Sequence, residues 1–287
     1  MDLLPFSFCD EVIGQLPTDG IEPIKKLSGL WSTLAETHNE RRQEFKFYVY
    51  EANEEKGDKY CFSIYNCKKD RYVTVNNLFK LNKRYDRIIE FNINALNRFA
   101  TTSCSIEHLE KDVLPFVLSF TSNSYFCPKN VDCERFKKVI YTSFRHHACF
   151  NELYISNLGE ECQDFVKQQI EYGRLQEIDL SFSDWPEEFN GYLKKFVESP
   201  HFKLLDIGTI NLELDFDLVS LFFDRWASGD LKKDSCLRGI IAFDKNMFSN
   251  LYRQYRDENK IHLWKHPQHG RTLQIETSLG RTTISVS

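Results

Sequence analysis

The sequence has few of the features that identify an enzyme or a cofactor-binding protein. Its 12 glycines are dispersed and form no glycine-rich loop that could hold a phosphate. Neither the GxSxG sequence of α/β-hydrolases nor the HExxH sequence of zinc proteases occurs, and no nucleophilic side chain has an evident base beside it. We therefore expect a protein that is not an enzyme and that needs no cofactor.

Signals for disulfides, nucleic acid and membranes are also scarce. The nine cysteines are an odd number and none are spaced as CxxC, which indicates reduced thiols. The net charge of -5 comes from well-mixed acidic and basic residues, so no nucleic-acid or membrane-binding surface is expected. No apolar run reaches the ~20 residues of a membrane span, and the apolar N-terminus lacks the basic start of a signal peptide. We expect a soluble protein of the cytoplasm or nucleus.

Two groups of imidazole and thiol side chains could be drawn as metal sites. One group, at a predicted hairpin tip, comprises His262, His266 and His269. The other comprises Cys127, Cys133, His146, His147 and Cys149. Cys127 and Cys133 are widely spaced, and the segment that begins at Cys133 has the pattern of a continuous helix. We expect neither group to bind metal, because buried thiols and a solvated hairpin tip explain them.

Asp179 and Asp184 could form a pair of carboxylates for acid–base chemistry. Asp179 lies between two apolar strand residues, Ile178 and Leu180, so its side chain should face away from the core. Asp184 precedes the sequence WPEE, where a capping residue, an early proline and acidic residues predict the start of a helix. We interpret both aspartates as structural.

What the sequence does contain is a recurring apolar triplet: apolar, two spacers, apolar, one spacer, apolar. The copies are Phe150/Leu153/Ile155, Leu175/Ile178/Leu180 and Phe202/Leu205/Ile207, with others at Ile88/Phe91/Ile93 and Leu237/Ile240/Ala242. The last two positions share one face of a strand, and the spacings of three and four between triplets predict helices. Gly173 and Gly229 lie where two of these helices should end.

The triplets recur with the period of a repeat protein. Leu153 and Ile178 are 25 residues apart, and Ile178 and Leu205 are 27 apart. This spacing resembles that of leucine-rich repeats, in which each β/α unit buries its apolar side only against its neighbours. We predict an α/β fold that contains an irregular leucine-rich-repeat-like stack with parallel strands. The alternative is a non-repeating α/β sheet.

Other segments predict antiparallel pairs on either side of this stack. Residues 45–75 have short β-rich runs with Gly57 and Asp58 near one turn, and two further runs, 260–266 and 271–278, flank a second turn at 267–270. The final RTTISVS is predicted as an edge strand. Residues 107–120 remain ambiguous between a helix kinked at Pro115 and a strand that follows it.

The first 40 residues form a separate helical pattern. The apolar and aromatic positions that define it are Leu4, Pro5, Phe8, Val12, Ile13, Leu16, Leu30 and Trp31. An opening Leu-Pro, spaced aliphatic residues and a late tryptophan resemble a degenerate F-box. The whole plan resembles the divergent F-box proteins of nematodes, in which a variable β/α region follows the box.

This resemblance implies a function and a division of the chain. F-box proteins are the substrate-recognition subunits of Skp1–cullin–F-box ubiquitin ligases, so the residues named above would bind a Skp1-type adaptor. Residues 1–40 would then be the F-box-like segment, and residues 41–287 would be the domain that binds a protein client. The alternative is a protein-interaction scaffold outside any ligase, whose N-terminal helices only cap the repeat stack.

The client is expected on the strand face that points away from the helices, because stacked repeats bind there. The residues predicted for this face are Glu152, Tyr154, Glu177, Asp179, Phe182 and Asp206. Since most of them are acidic, the sequence predicts a client segment that is basic.

Overall fold

The computed structural model describes residues 4–51, 59–73, 77, 80–93, 102–128, 131, 133–180, 183–208, 211–244, 247, 257–258, 261–266, 270–278 and 280–287. The chain divides into two compact units, Met1–Phe150 and Asn151–Ser287. Each combines helices with a sheet that has both parallel and antiparallel strands, which confirms the predicted α/β class. The N-terminal helices belong to the first unit, together with the strands that follow them.

The first unit begins with three helices and continues into a sheet. The helices are α1 (Phe6–Gln15), α2 (Thr18–Lys25) and α3 (Leu30–Arg41). The strands are β1 (Gln43–Glu51), β2 (Lys59–Asn66), β3 (Arg71–Val73), β4 (Asp86–Ile93), β5 (Thr102–Ser105) and β6 (Thr121–Pro128). Two further helical segments are α4, made of Ile106–His108, Leu109–Val113 and Leu114–Leu118, and α5 (Glu134–Arg145).

The sheet of this unit has the order β3-β2-β1-β4-β6, and β5 also pairs with β2. β2 pairs antiparallel with both β1 and β3, which confirms the predicted antiparallel pairing, whereas β4 is parallel to both β1 and β6. The turn predicted at Gly57 and Asp58 lies outside the described residues. Alternating apolar residues of β1, among them Phe47, are buried, and Phe47 packs edge-on against Phe91 of β4.

The ambiguous segment around Pro115 is helical. Its middle turn, Leu109–Val113, is a wide π turn directly before the proline. Proline has no amide hydrogen to donate and its ring crowds the preceding turn, so a wider turn relieves the crowding at the cost of regular hydrogen bonds. The helix therefore continues through Pro115 to Leu118.

The second unit is built around four parallel strands. They are β7 (Phe150–Tyr154), β8 (Glu177–Asp179), β9 (Leu204–Asp206) and β10 (Cys236–Gly239). The helices between them are α6 (Glu160–Glu171), α7 (Phe189–Glu198) and α8 (Phe216–Ser228). The last strands are β11 (Asp257–Glu258), β12 (Ile261–Lys265), β13 (Thr272–Ser278) and β14 (Arg281–Val286).

The register of the parallel strands confirms the central prediction from the triplets. Leu153 lies opposite Ile178, Ile178 opposite Leu205, and Leu205 opposite Leu237. All four side chains are completely buried. As predicted, the helices before two of these strands end near Gly173 and Gly229, which take the left-handed backbone conformation that favours glycine.

The predicted triplet Leu237, Ile240 and Ala242 was wrong, because it lies three residues too far along the chain to match the observed strand register. Leu237, not Ile240, lies in register with Leu205, and Ile240 is 37% exposed just beyond the strand. Gly239 takes the position equivalent to Ile207. A Cβ atom there would come within 2.8 Å of the Ile207 side chain and 2.9 Å of Leu214, so these two side chains fill the space of the missing apolar residue.

Two other local predictions were also wrong. The helix expected to start at Asp184 begins at Phe189. The loop before it is held instead by Asn211, whose side chain accepts a hydrogen bond from the Trp185 amide at 2.8 Å and donates one to the Trp185 carbonyl at 2.8 Å. The predicted edge strand at the C-terminus, β14, is internal, because it pairs antiparallel with β10 on one side and with β13 on the other. The predicted hairpin of β12 and β13 is confirmed.

Candidate functional site

The three N-terminal helices have a small apolar core of their own. It consists of Cys9, Ile13, Ile21, Leu34 and Ala35, and Leu16, Ile24, Leu30 and Trp31 pack against it half-buried. In α1 the core side is formed by Cys9 and Ile13, which are spaced one helical turn apart. This core explains why the segment folds, and it does not bury Phe8, which lies on α1 but is exposed.

Exposed large apolar side chains are concentrated near the N-terminus of the described chain. Of the residues that the structure describes, the large hydrophobic side chains exposed by more than a third are Leu4 (41%), Phe6 (53%), Phe8 (49%), Leu27 (46%) and Ile240 (37%). Four of these five lie within the first 27 residues, next to the helices. We call Leu4, Phe6, Phe8 and Leu27 the N-terminal apolar residues. Exposed apolar residues gathered in one short segment are typical of surfaces that bind another protein.

The residues predicted to bind an adaptor divide into three groups. Leu4, Pro5 and Phe8 are exposed, and Val12, Leu16, Leu30 and Trp31 are half-buried. Ile13 is completely buried, so its role is to hold the helices together rather than to touch a partner. The prediction did not include Phe6 and Leu27, although both are exposed. The apolar residues on the two sides of α1 have the same helical spacing, so the pattern alone does not separate the buried side from the exposed one.

Two buried arginines bind the C-terminal end of α1. Arg42 donates to the carbonyl oxygens of Leu16 at 2.5 Å and Ile13 at 3.0 Å, and Arg87 donates twice to the carbonyl of Gly14, at 3.0 and 2.8 Å. The last carbonyls of a helix have no partner within the helix, and its C-terminus attracts positive charge. Burial and the nearby Arg87 lower the pKa of Arg42 to about 10, so the side chain stays charged at neutral pH.

A buried histidine connects α1 with α3. The Nε2 atom of His38 lies 2.9 Å from Oδ1 of Asp10, which also accepts from Nη2 of Arg84 at 2.9 Å. Burial lowers the pKa of His38 despite the opposing effect of Asp10, so the ring is neutral at pH 7 and donates from Nε2. Burial tends to raise the pKa of Asp10, but the hydrogen bonds from His38 and Arg84 outweigh it and lower that pKa.

In the second unit, five of the six predicted client-binding residues lie side by side on parallel strands. Glu152 is in register with Glu177, Tyr154 with Asp179, and Asp179 with Asp206. They alternate with Leu153, Ile178 and Leu205, so they occupy the opposite face of the sheet. The sixth, Phe182, lies outside the described residues. The sequence pattern thus located one continuous face.

Two of the four acidic residues of this face, Glu177 and Asp206, are paired with cations. Lys203 lies 2.5 Å from Glu177, which also accepts a hydrogen bond from the Tyr154 hydroxyl at 3.2 Å. Oδ1 of Asp206 accepts from Nη2 of Arg281 at 2.6 Å, and Oδ2 lies 4.0 Å from Arg238. The side chains of Glu177 and Asp206 are only 13% and 11% exposed. The face is therefore less negative than the sequence of its strands suggests.

Burial, together with neighbouring carboxylates, raises the pKa values of two carboxyl groups on this face, Glu152 and Asp206. Burial raises the pKa of Glu152, and the adjacent Glu177 carboxylate adds to the rise. Burial likewise raises the pKa of Asp206, with a further contribution from Asp179, while Arg281 and Arg238 oppose it. Burial also raises the pKa of the Tyr154 hydroxyl.

At one end of this face is a depression of about 330 Å³. Its lining residues are Asp206, Arg238, Glu276, Ser278, Arg281 and Thr283. They come from β9, β10 and the β13–β14 hairpin, which the sequence had not placed beside the parallel strands. All of its lining side chains are polar or charged.

The metal sites considered from the sequence are not supported by the described residues. Within them, no group of three or more His, Cys, Asp or Glu side chains could hold a metal ion. His269 lies outside the described residues. His266 is buried, with its Nε2 atom 3.0 Å from the carbonyl oxygen of Ala227 and its ring edge-on to Trp226. This contact accounts for His266 as a packing residue.

Comparison with known proteins identifies no relative. No protein-family model, no curated protein and no solved structure matches the chain. In the described part of the chain, every helix is too short or too polar to cross a membrane. The function must therefore be inferred from the surfaces described above.

Proposed function

We propose that this chain is a non-enzymatic substrate receptor of a Skp1–cullin–F-box type ubiquitin ligase, acting in the cytoplasm or nucleus. In this proposal α1–α3 are a degenerate F-box that binds a Skp1-type adaptor. The parallel strands β7–β10, with α6–α8, are an irregular leucine-rich-repeat-like stack that holds a protein client. Such a receptor performs no bond chemistry, because it acts by raising the local concentration of its client near the ligase.

The observation that carries the proposal is the exposure of the N-terminal apolar residues. Leu4 and Phe8, two residues of the predicted adaptor-binding set, are 41% and 49% exposed. Phe8 lies on α1, whose other side is already satisfied by Cys9 and Ile13. Burying exposed leucine and phenylalanine side chains on a partner stabilises a complex, and aromatic residues often dominate such interfaces.

The test is binding of purified adaptor protein by the full chain and by a Leu4→Ser/Phe8→Ser variant. We expect the wild type to form a stable complex on gel filtration and the variant to bind at least about 30-fold more weakly, as for the loss of about 2 kcal/mol at an interface. The matched control is Ile240→Ser, which replaces an exposed large apolar residue of the second unit. Its adaptor affinity should equal that of the wild type.

The free energies of unfolding of all three proteins, measured in urea, should agree to within about 0.5 kcal/mol, because the substituted side chains are exposed. Failure of the folded wild-type chain to bind adaptor would reject the ligase proposal. The client would then have to be sought without reference to ubiquitin transfer.

One observation favours the alternative of a free-standing interaction scaffold. Arg42 and Arg87, which lie beyond the predicted F-box-like segment, bind the carbonyls at the end of α1. These contacts integrate the helices into the first unit whether or not an adaptor binds. A scaffold of this kind would retain protein partners but capture no adaptor, so the same binding experiment separates the two proposals.

A further inference from the structure

In the depression of the second unit, the two arginine side chains are more accessible to solvent than the carboxylate of Asp206. Asp206 is 8% exposed and its Oδ1 atom accepts from two donors, Arg281 Nη2 at 2.6 Å and the Gly208 amide at 3.0 Å. Its carboxylate is thus already engaged within the protein. The two arginine side chains are far more accessible, at 46% for Arg238 and 42% for Arg281.

Arg281 is held in a defined position. A Cβ atom on Gly208 would lie 1.7 Å from its Nη2 atom and 2.1 Å from its Cζ atom, so the guanidinium lies directly over this glycine. The salt bridge to Asp206 uses one edge of the group, and a guanidinium carries five N–H donors. Donors therefore remain for a ligand, and they are already oriented.

Arg238 contacts the carboxylate of Asp206 only weakly, and it also interacts with the side chain of Cys236. Within the described residues its only ion pair is the 4.0 Å contact with Asp206, which is too long for a strong hydrogen bond. It projects from β10 in register with Thr283 of β14, so a hydroxyl lies beside the guanidinium. Ser278, across from Arg281 on the β13–β14 hairpin, adds a second hydroxyl.

We propose that this depression binds a carboxylate side chain of an acidic peptide segment. The guanidinium of Arg238 donates two parallel hydrogen bonds to the carboxylate, Arg281 adds a third, and the hydroxyls of Ser278 and Thr283 complete the site. Glu276, exposed at the rim, disfavours bound anions and keeps the affinity moderate. The inference rests on the proposed function only in identifying the peptide as part of a client, and it replaces the expected basic client with an acidic one.

The experiment measures binding of three fluorescein-labelled twelve-residue peptides to the purified full chain by fluorescence anisotropy. One peptide contains six Glu residues, the second contains Gln at those positions, and the third contains Lys. We expect binding of the Glu peptide only, with an affinity that falls as salt is added. Preferential binding of the Lys peptide would overturn the proposal and restore the basic client.

Charge variants locate the site. Arg238→Gln should weaken binding of the Glu peptide about tenfold, as for loss of a charge-assisted pair of hydrogen bonds. Glu276→Gln should strengthen it severalfold. The control Lys232→Gln removes one positive charge from an exposed position of the same unit outside the depression and should have little effect.

Equal weakening by Arg238→Gln and Lys232→Gln would show a general charge effect and overturn the proposed site. The exposed Glu276→Gln substitution removes no described contact, so it tests the sign of the charge even if an arginine variant is unstable. No adaptor is present in these measurements, and a failure here is therefore distinct from a failure of adaptor binding.

Discussion

Arg87 donates two hydrogen bonds to the carbonyl oxygen of Gly14, from Nε at 3.0 Å and from Nη2 at 2.8 Å. Gly14 lies inside α1, where glycine costs about 1 kcal/mol relative to alanine. From the sequence alone it is an unfavourable interruption of the helix. The structure gives the reason for it, because a Cβ atom at this position would lie 3.1 Å from Nη2 of Arg87.

We predict that Gly14→Ala destabilises the first unit by about 1–2 kcal/mol, despite the higher helix propensity of alanine. The added methyl group would press on a guanidinium that is held by several carbonyls and has little freedom to move. The control is Gly191→Ala in α7, where no atom lies within 4 Å of the new Cβ. This substitution should stabilise the chain by about 0.5–1 kcal/mol. Urea unfolding checks both, and a stabilising Gly14→Ala would contradict the proposed role of Arg87.

The second prediction concerns Arg42. Replacing it with methionine removes the hydrogen bonds that the guanidinium donates to the carbonyls of Ile13 and Leu16. We expect a loss of about 2–4 kcal/mol in the free energy of unfolding, since a charged donor is removed from a buried network. The neighbouring Arg41 is exposed, and Arg41→Met should change stability by less than about 0.5 kcal/mol. Similar effects of the two variants would show that Arg42 does not hold the helices.

These results indicate which features could be predicted from the sequence. The neighbours Leu153, Ile178 and Leu205 were predictable because their spacing reflects local strand and helix geometry. The pairing of Asp206 with Arg281 was not, since 75 residues separate them and only the insertion of β14 beside β10 brings them together. The acidic face was located correctly, but Arg281, the cation closest to Asp206, comes from a strand outside the triplets.

The third prediction is a contribution of His38 to the pH dependence of stability. Its pKa is lowered in the folded state, where Arg42 and Arg87 add to the effect of burial and Asp10 opposes it. Below the ordinary histidine pKa of about 6.5 the unfolded chain therefore binds a proton that the folded chain does not. Stability should fall as the pH decreases from 7 to 5, and it should fall less steeply in His38→Gln.

Urea unfolding of the two proteins across this pH range measures the difference. Other groups also titrate here, among them His147, whose pKa is lowered by burial. Only the difference between wild type and His38→Gln therefore reports on His38. Parallel curves for the two proteins would mean that the ring is not kept neutral by its surroundings.

The fourth prediction tests the coupling of Asp206 with Arg281. Their charged atoms are 2.6 Å apart, with Asp206 nearly buried and Arg281 partly exposed to solvent that screens the pair. Arg281→Gln leaves the Asp206 carboxylate without its closest cation. The double variant, Asp206→Asn with Arg281→Gln, has no carboxylate at position 206 that needs this cation. We expect the double variant to be more stable at pH 7 than Arg281→Gln alone, with a coupling energy of about 1–2 kcal/mol.

The pH dependence of this pair follows from the sign of the shift. The pKa of Asp206 is raised in the folded state by burial and by Asp179, and loss of Arg281 should raise it further. A carboxyl group with a raised pKa binds its proton more readily when folded, so its contribution to stability is present at low pH and is lost as the pH rises through the folded-state pKa. Arg281→Gln should therefore regain stability relative to the wild type as the pH is lowered from 7 towards 4. The double variant should show no such recovery, and a recovery of equal size in both would assign the effect to other carboxylates.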